Sequence, residues 1–263
     1  MLSDEDIDRS ADEGEEEARK LEAALLAAAG ASLLALRGLD ARSVNMGAVG
    51  LLAKANSIVT LAGGPIGKAV SRGVAGALLL HAITEAERIA GPAAAARRAE
   101  EGIDVAAVAA AALADVRAIQ RNMAESCKDA YYRAVAQARR DVATMGHDRA
   151  MARAVADMAR EGLAAYAYRR RRKGGGTTTV RVPVDVGVRR AIVSSGLQAM
   201  MAEELEAAAR YGRDLVEVNV TVNARPSHAA WQGQVYSISG NNPRYPKFSD
   251  ACRVGDPVNG IGG

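Results

Sequence analysis

Aromatic side chains are scarce in this sequence, at 3% of its 263 residues, with a single tryptophan and a single phenylalanine. Alanine is abundant instead. Alanine favours helices because it loses no side-chain entropy there, but each buried alanine removes little apolar area from water. The composition therefore predicts an elongated, Ala-rich helical region that depends on partner surfaces for its stability.

Cysteine is also rare, since only Cys127 and Cys252 occur, far apart and outside any CxxC pair. That pattern predicts neither a disulfide framework nor a zinc site. We expect no metal and no cofactor. The formal net charge of +3 is too close to neutral to indicate nucleic-acid binding by itself.

Long hydrophobic runs are missing as well. The apolar stretches near residues 24–36 and 73–84 are shorter than the roughly 20 residues that a bilayer core requires. The N-terminus is acidic, whereas a signal peptide begins with basic residues followed by apolar ones. The sequence thus predicts a cytoplasmic product with no membrane partner.

Charge is concentrated in two blocks of opposite sign. Residues 1–17 hold nine acids and one arginine, and residues 1–14 are predicted to be a disordered acidic tail. A basic block of Arg169, Arg170, Arg171, Arg172 and Lys173 precedes three glycines. Residues 168–176 are therefore predicted to be a basic, Gly-rich linker.

Hydrophobic periodicity predicts a helical domain over residues 15–167. Apolar residues recur at three- and four-residue steps, most clearly between Val105 and Ala134, which places them on one stripe of a helix. Gly63, Gly64 and Pro65 are expected to break the chain. The predicted helices cover residues 15–36, 44–61, 66–90, 103–145 and 149–167.

The composition changes after the glycines, and residues 177–263 are predicted to form a small α+β module. The β-branched residues 177–182 predict a strand, and residues 186–211 predict a helix. Valines alternate with polar residues over 215–222, which predicts a second strand. The expected fold class is mainly α with a small C-terminal α+β module.

The basic block Arg169–Lys173 has two interpretations. Arginines neutralise phosphates in a sequence-independent, salt-sensitive manner, and Tyr166 and Tyr168 are placed to stack on exposed bases. Alternatively, the block is an exposed helix end, where cations meet the negative end of the helix dipole; this second interpretation is slightly favoured. An acidic surface of another protein would serve equally well as the partner.

A second group of polar residues lies just after the valine-rich strand, with Arg225, Ser227, His228, Trp231 and Gln232 within eight positions. Histidine titrates near neutral pH and can hold an anion or transfer a proton. A lone histidine without matched ligands does not make a zinc site, and a serine one residue away is not by itself a nucleophile. We therefore favour a structural corner in which Trp231 anchors a small core, and predict no enzyme.

The run Ala-Arg-Pro-Ser-His-Ala-Ala-Trp-Gln-Gly at residues 224–233, with Tyr-Pro-Lys-Phe at 245–248, resembles the phage minor capsid protein 2 family. That family is related to the Mu F-like head morphogenesis proteins. The step Val182-Pro183-Val184-Asp185 into a helix also resembles it. The residues of this sequence that carry the signature, in a structural role, are Arg225, Ser227, His228, Trp231, Gln232, Gly233 and Tyr245.

The resemblance implies a structural protein of the virion that acts in head morphogenesis. Such proteins associate with the portal vertex or inner capsid, and are expected in multiple copies in a ring-like assembly. The implied partners are the portal protein, the major capsid protein, or both, with phage DNA as a further partner. The alternative is a DNA-binding accessory protein in packaging or ejection that uses the basic block. The implied location is the host cytoplasm during assembly and then the virion.

The Asn-Cys-Arg-His segment with which the family pattern continues does not follow Gly260-Ile261-Gly262-Gly263. If that segment partners His228 in the family, the site is incomplete in this chain. The expectation is thus that the signature residues form the framework of a small fold and carry no catalysis or metal binding.

Overall fold

A computed structural model describes residues 2–102, 104–171, 175–220, 222, 229–251, 253–254 and 260–261. Its helices are α1 (Leu2–Leu34), α2 (Ala41–Ala90), α3 (Pro92–Glu101), α4 (Val105–Met145), α5 (His147–Glu161), α6 (Val184–Arg210) and the short α7 (Phe248–Ala251). Its strands are β1 (Ala164–Arg171), β2 (Thr177–Pro183), β3 (Leu215–Glu217), β4 (Val235–Ser237), β5 (Arg253–Val254) and β6 (Gly260–Ile261).

The strands form three separate pairs. The pairs β1–β2 and β3–β4 are antiparallel, and β5–β6 is parallel. The predicted fold class, mainly α with a small C-terminal α+β module, is confirmed.

The chain forms two compact units. The hairpin unit consists of Ala11–Val70 and Leu113–Ala191, and the C-terminal unit consists of Met1–Ser10, Ser71–Ala112 and Ile192–Gly263. Helices α1, α2, α4 and α6 each contribute residues to both units. The domain division along the sequence, with a helical domain over 15–167 and a module over 177–263, stays a prediction.

The core of the hairpin unit is built from small and aliphatic residues on α1 and α4. On α1 the buried positions recur every three or four residues, which is the spacing of one helix face; they are Ala11, Gly14, Ala18, Leu21, Leu25, Ala29 and Leu33. The buried Cys127 on α4 lies against this face, with its Sγ 3.5 Å from the carbonyl oxygen of Leu25. Small side chains let these helix backbones approach closely.

The helical part of the C-terminal unit contains a buried ion pair. Arg98 on α3 donates from Nη2 to Oε1 of Glu203 on α6 at 2.9 Å, and the two side chains are only 8% and 7% exposed. Arg98 also donates from Nη1 to the carbonyl oxygen of Gly102 at 2.8 Å, which gives this backbone acceptor at the C-terminus of α3 a partner. Because buried charges are costly unless paired, this contact fixes α3 against α6.

The prediction that residues 1–14 form a disordered acidic tail is wrong, because helix α1 begins at Leu2. Carboxylates in the first turns of a helix stabilise it, because they lie near the positive end of the helix dipole. Ile7 is 4% exposed and lies beside Gly196 of α6, a tertiary contact that the local acidic composition does not reveal. In the next turns Arg189 pairs with Asp12 and Glu15.

The predicted break at Gly63, Gly64 and Pro65 is also wrong, since α2 runs through all three. Proline removes one helical hydrogen bond to the carbonyl four residues earlier, here that of Leu61. Leu61 and Pro65 are exposed, so water can solvate that carbonyl. The fully buried Ile66 just beyond holds the helix against its neighbours.

The unbroken length of α2 bears on the expectation that no segment of the chain spans a membrane. By length and composition alone, α2 is the one helix of the described residues that could cross a membrane; its most apolar 18-residue window has a mean hydropathy of 1.3 and is 17% buried. The core helix of a protein that spans no membrane passes the same test, so one such helix is weak evidence. The sequence predicted two separate helices on either side of Gly63, Gly64 and Pro65, so the full length of α2 was not foreseen.

The predicted linker over residues 168–176 contains a strand. β1 continues through Arg171 and pairs with β2 in a hairpin whose register sets Arg169 opposite Thr179. Gly175 and Gly176 lead into β2 with φ of 88° and 78°, a conformation that glycine adopts without steric cost. The predicted helix over 149–167 accordingly ends early, at Glu161.

The predicted strand over 215–222 is shorter than expected, and only Leu215–Glu217 form β3. Its partner β4 has three residues, so the ladder ends when that partner ends. Val218 makes two further backbone bonds, to Gln234 and Gly233. Val220 and Val222 are 72% and 96% exposed, so alternation of valines beyond Val218 does not mark a buried face.

Candidate functional site

The signature region contains a small aromatic core in the C-terminal unit. Trp231, Tyr236 and Phe248 are buried together, and Leu205, Val216 and Val218 pack against them. The rings of Tyr236 and Phe248 meet edge to face with centroids 6.0 Å apart, an arrangement favoured by ring electrostatics. The Tyr236 hydroxyl donates to the carbonyl oxygen of Trp231 at 3.1 Å, so this core also fixes the backbone.

A hydrogen-bonded arrangement that we call the Asp214 clasp holds the loop after β4. The carboxylate of Asp214 accepts from the Ser237 hydroxyl at 2.7 Å and from the Ser239 backbone N–H at 2.8 Å. Its carbonyl oxygen accepts from the N–H of Ile238 at 2.7 Å. The Ser237 oxygen in turn accepts from the N–H of Gly240 at 2.8 Å. The clasp joins the start of β3 to the end of β4.

The clasp favours the ionised form of its carboxylate. Hydrogen bonds from Ser239 and then Ser237 hold the pKa of Asp214 below its ordinary value of 3.8, because donors stabilise the negative charge. A carboxylate with a lowered pKa is fully ionised at neutral pH and cannot act there as a proton donor. Its role in this geometry is structural.

The structure places only part of the predicted signature set. Trp231 is 8% exposed, and Gln232 and Tyr245 are partly buried. Gly233 has a φ of 69° and its N–H donates to the carbonyl oxygen of Val218 at 2.7 Å, so a positive φ is required at this turn. The remaining members, Arg225, Ser227 and His228, lie outside the described residues. The structural role of the whole set stays a prediction.

An open cleft of about 800 Å³ lies beside the clasp. Arg213 and Arg244 line it together with Asn241 and Asn242. The ionised Asp214 lines it as well, so its negative charge offsets part of the attraction of the two arginines for an anion. No nucleophile paired with a base is present among the residues that line the cleft.

Asp214 and Ser237 were not singled out in the sequence, although signals for both exist. Asp214 directly precedes the predicted valine-rich strand, and Ser237 opens a Ser-Ile-Ser-Gly run, whose serines and glycine are typical of a turn. Asp and Ser bond nearby backbone groups in turns. What the sequence lacks is any sign that these two segments pair, since 22 residues separate them.

The basic block lies on the β1–β2 hairpin of the hairpin unit. Arg169 and Arg170 are exposed on β1, and Arg171 ends that strand. Arg172 and Lys173 lie outside the described residues. The exposed Arg181 on β2 was missed as a candidate, because it stands alone in the sequence and only strand pairing brings it next to the block.

The hairpin rests on the start of α6 through a close contact. Gly187 on α6 lies directly against Ala165, so any side chain at position 187 would collide with β1. The Tyr166 hydroxyl lies 3.4 Å from Nη1 of Arg190, which donates to it. At the other end of this α6 turn, Arg19 of α1 pairs with Asp185 at 3.2 Å. The base of the hairpin is thereby fixed.

The first half of α2 exposes an apolar face in the hairpin unit. Met46, Val49 and Leu61 are 67%, 72% and 76% exposed, and helical geometry of 100° per residue places them within a sector of about 120°. The residues between them in this sector are small, namely Gly50, Ala53, Ser57 and Thr60. Three large apolar side chains exposed on one sector of a helix make this face a candidate interaction surface.

Neither a metal-binding group nor a reactive cysteine thiolate is found among the described residues. Within them, no group of three or more His, Cys, Asp or Glu side chains is placed to hold a metal ion. Burial raises the pKa of the Cys127 thiol to about 11. That thiol is protonated at neutral pH and is not a nucleophile.

Comparison with known protein families identifies a family that covers most of the chain. The model of the family described as phage minor capsid protein 2 matches residues 53–262. This range includes most of α2, the basic hairpin and the aromatic core. No curated protein matches the chain, and no solved structure matches it.

Proposed function

Because the chain belongs to the phage minor capsid protein 2 family, we propose that it acts in head morphogenesis of a tailed phage by associating with the portal vertex or inner capsid. Membership of this family alone makes the protein a structural component of a phage virion. The portal protein, the major capsid protein, or both are the proposed partners. Multiple copies in a ring are expected at a portal vertex.

The observation that carries this proposal is the exposed apolar face of α2. Met46, Val49 and Leu61 contribute large apolar surface to solvent, which is costly for an isolated chain. A partner subunit that covers this face would remove the cost. Residues 41–70 contain three cations, Arg42, Lys54 and Lys68, and no acid. A partner helix with an apolar stripe and acidic flanks would therefore fit best.

The proposal is tested by introducing charge on that face. Val49→Asp together with Leu61→Asp should abolish incorporation into phage heads, measured as the amount of protein in purified particles. Asn122→Asp together with Ala136→Asp adds the same charge at exposed positions of α4 and should leave incorporation unchanged. Circular dichroism of both variants verifies folding. Normal incorporation of the Val49/Leu61 variant would contradict the proposed role of this face.

Position in the head is a separate measurement. Electron cryomicroscopy of intact particles should place the protein next to the ring of portal subunits. Density distributed over the whole capsid lattice would instead identify the major capsid protein as the partner. Flotation of the purified chain with lipid vesicles tests the membrane alternative raised by α2, and we expect no flotation.

A second candidate function is DNA binding during packaging or ejection by the basic block. The observation that favours it is that residues 162–183 contain six cations and no acid, with Arg169 and Arg170 exposed. Sequence-independent, salt-sensitive binding of unrelated DNA fragments is expected. Replacing Arg169, Arg170, Arg171, Arg172 and Lys173 together should lower the affinity equally for all sequences.

A further inference from the structure

The register of the β1–β2 hairpin gives its two faces different chemistry. Directly opposed residues in an antiparallel pair lie on the same face, and successive residues alternate between faces. Arg169 opposes Thr179 and Ala167 opposes Arg181, so both arginines share one face. Tyr168 opposes Val180 and Tyr166 opposes Val182 on the other face. One face is thus cationic and hydroxylated along its length. The other is aromatic and aliphatic near the base of the hairpin and has Arg170 opposite Thr178 near the turn.

The aromatic face is the one that rests on the body of the unit. Val182 is buried, the Tyr166 ring lies near Gly187, and Arg190 donates to the Tyr166 hydroxyl. On the opposite face, Ala167, Arg169, Thr179 and Arg181 are all exposed. We call these four positions the arginine face. Tyr166 and Tyr168 are 36% and 44% exposed, but the contacts of Tyr166 with Gly187 and Arg190 fix its ring against α6 at the base of the hairpin. The arginine face carries cations along its length, so it is the better candidate for a polyanionic ligand.

The arginine face carries positive charge that the protein does not neutralise locally. Across the described part of the chain, Arg169 and Arg181 form no ion pair with a carboxylate. They are diagonal neighbours across the ladder, about 7–8 Å apart, so they repel each other. Binding of a polyanion would relieve that repulsion. Residues 162–183 carry positive charge only, which suits a polyanion such as DNA. An acidic protein surface would also be complementary to such a patch, and competition by polyglutamate distinguishes the two.

We propose that the arginine face binds the phosphate backbone of B-form duplex DNA, with the hairpin lying in the major groove. This rests on the second candidate function and assigns it a surface that includes Arg181. A major groove about 12 Å wide admits a two-stranded ribbon, whereas the major groove of A-form RNA is too deep and narrow for side chains to read. Arginine and threonine side chains both donate to phosphate oxygens, and such contacts are independent of base sequence.

The test uses the full chain and fluorescence anisotropy with short DNA duplexes of two unrelated sequences over a series of salt concentrations. Arg169→Gln with Arg181→Gln should reduce the slope of log affinity against log salt by about 1.8, since each lost phosphate contact removes about 0.9. Arg97→Gln with Arg149→Gln removes the same charge from exposed positions outside the hairpin and should leave the slope unchanged. Circular dichroism verifies that both variants fold.

Two further measurements separate the proposal from its competitors. An RNA duplex of the same sequence should bind at least tenfold more weakly than DNA, and polyglutamate should not compete with DNA at equal charge concentration. Equal salt slopes for the two double variants, equal binding of RNA, or effective competition by polyglutamate would each overturn it. Incorporation of Arg169→Gln/Arg181→Gln into particles is measured separately, so failure of DNA binding and failure of head assembly are distinguishable.

Discussion

The two units of this protein are stabilised in opposite ways. The hairpin unit buries mostly alanines, glycines and aliphatic residues along long helices, and Tyr131 is its largest fully buried side chain. The C-terminal unit instead depends on a few particular groups, namely the Arg98–Glu203 pair, the three-ring core and the Asp214 clasp. We therefore expect the hairpin unit to be destabilised most by substitutions that enlarge a buried residue. The C-terminal unit should be destabilised most by substitutions that remove a charged or aromatic side chain.

The largest expected effect is on the buried ion pair. Glu203→Gln leaves Arg98 charged and buried without its partner, and breaking such a pair costs about 3–5 kcal/mol. The free energy of unfolding from urea titration measures the loss. The double replacement Arg98→Met with Glu203→Leu removes both charges and should restore most of the stability. A single variant as stable as the wild type would show that the pair does not hold α3 against α6.

The aromatic core should respond next most strongly. Phe248→Ala removes an edge-to-face partner of Tyr236 and leaves a cavity, which should destabilise the C-terminal unit by roughly 3 kcal/mol. Trp231 lies in the same core and is the only tryptophan, so its fluorescence reports opening of this core directly. Phe248→Leu keeps most of the volume and should cost about 1 kcal/mol. Equal costs for the two replacements would mean that the ring is not packed as described.

The hairpin unit should show the reverse sensitivity, in which one added methyl group is harmful. Gly47 on α2 lies directly against the Tyr131 hydroxyl, which donates to the carbonyl oxygen of Val44. Gly47→Ala should destabilise by about 1–2 kcal/mol, because overpacking and a lost hydrogen bond outweigh the helix propensity of alanine. Gly50→Ala, one turn along the helix, meets nothing within 4 Å and should stabilise by up to about 1 kcal/mol. If both substitutions changed the free energy of unfolding in the same direction, tight packing at Gly47 would not distinguish the hairpin unit from the C-terminal unit.

Sequence reasoning recovered the features that depend on local periodicity. The long helix α4 was predicted over 103–145 and spans Val105–Met145, and α6 was predicted over 186–211 and spans Val184–Arg210. The class of fold followed from the same patterns, together with the change of composition after the glycines. The family was recognised from a rigid run of residues, which requires no structure.

The failures share one cause, which is that contacts between distant segments override local signals. Ile7 beside Gly196 stabilises helix where composition predicts a disordered tail, and Ile66 holds α2 across Pro65. Strand pairing brings Arg181 beside Arg169, and the clasp joins Asp214 to Ser237. Neither pairing is visible from spacing along the chain. The residues 224–228 of the signature, although the most informative for identity, are not among the described ones.

The smallest expected effect concerns pH and acts on the C-terminal unit alone. The pKa of Asp214 is lowered in the folded state by hydrogen bonds from Ser239 and Ser237, so folding favours the ionised carboxylate. A lowered folded pKa contributes stability that is complete above the ordinary value of 3.8 and is lost as pH falls through the folded pKa. Asp214→Asn should therefore lower the stability of this unit modestly at neutral pH.

The difference between wild type and Asp214→Asn should then shrink on acidification, because protonation of Asp214 makes the two side chains alike in charge. Trp231 fluorescence in urea at a series of pH values measures it. Glu217→Gln removes an exposed carboxylate from neighbouring β3 and should give no such pH-dependent difference. If the Asp214→Asn difference persisted unchanged at the lowest pH, the clasp would owe its stability to shape and neutral hydrogen bonds. The C-terminal unit would then depend less on single charged groups than its geometry indicates.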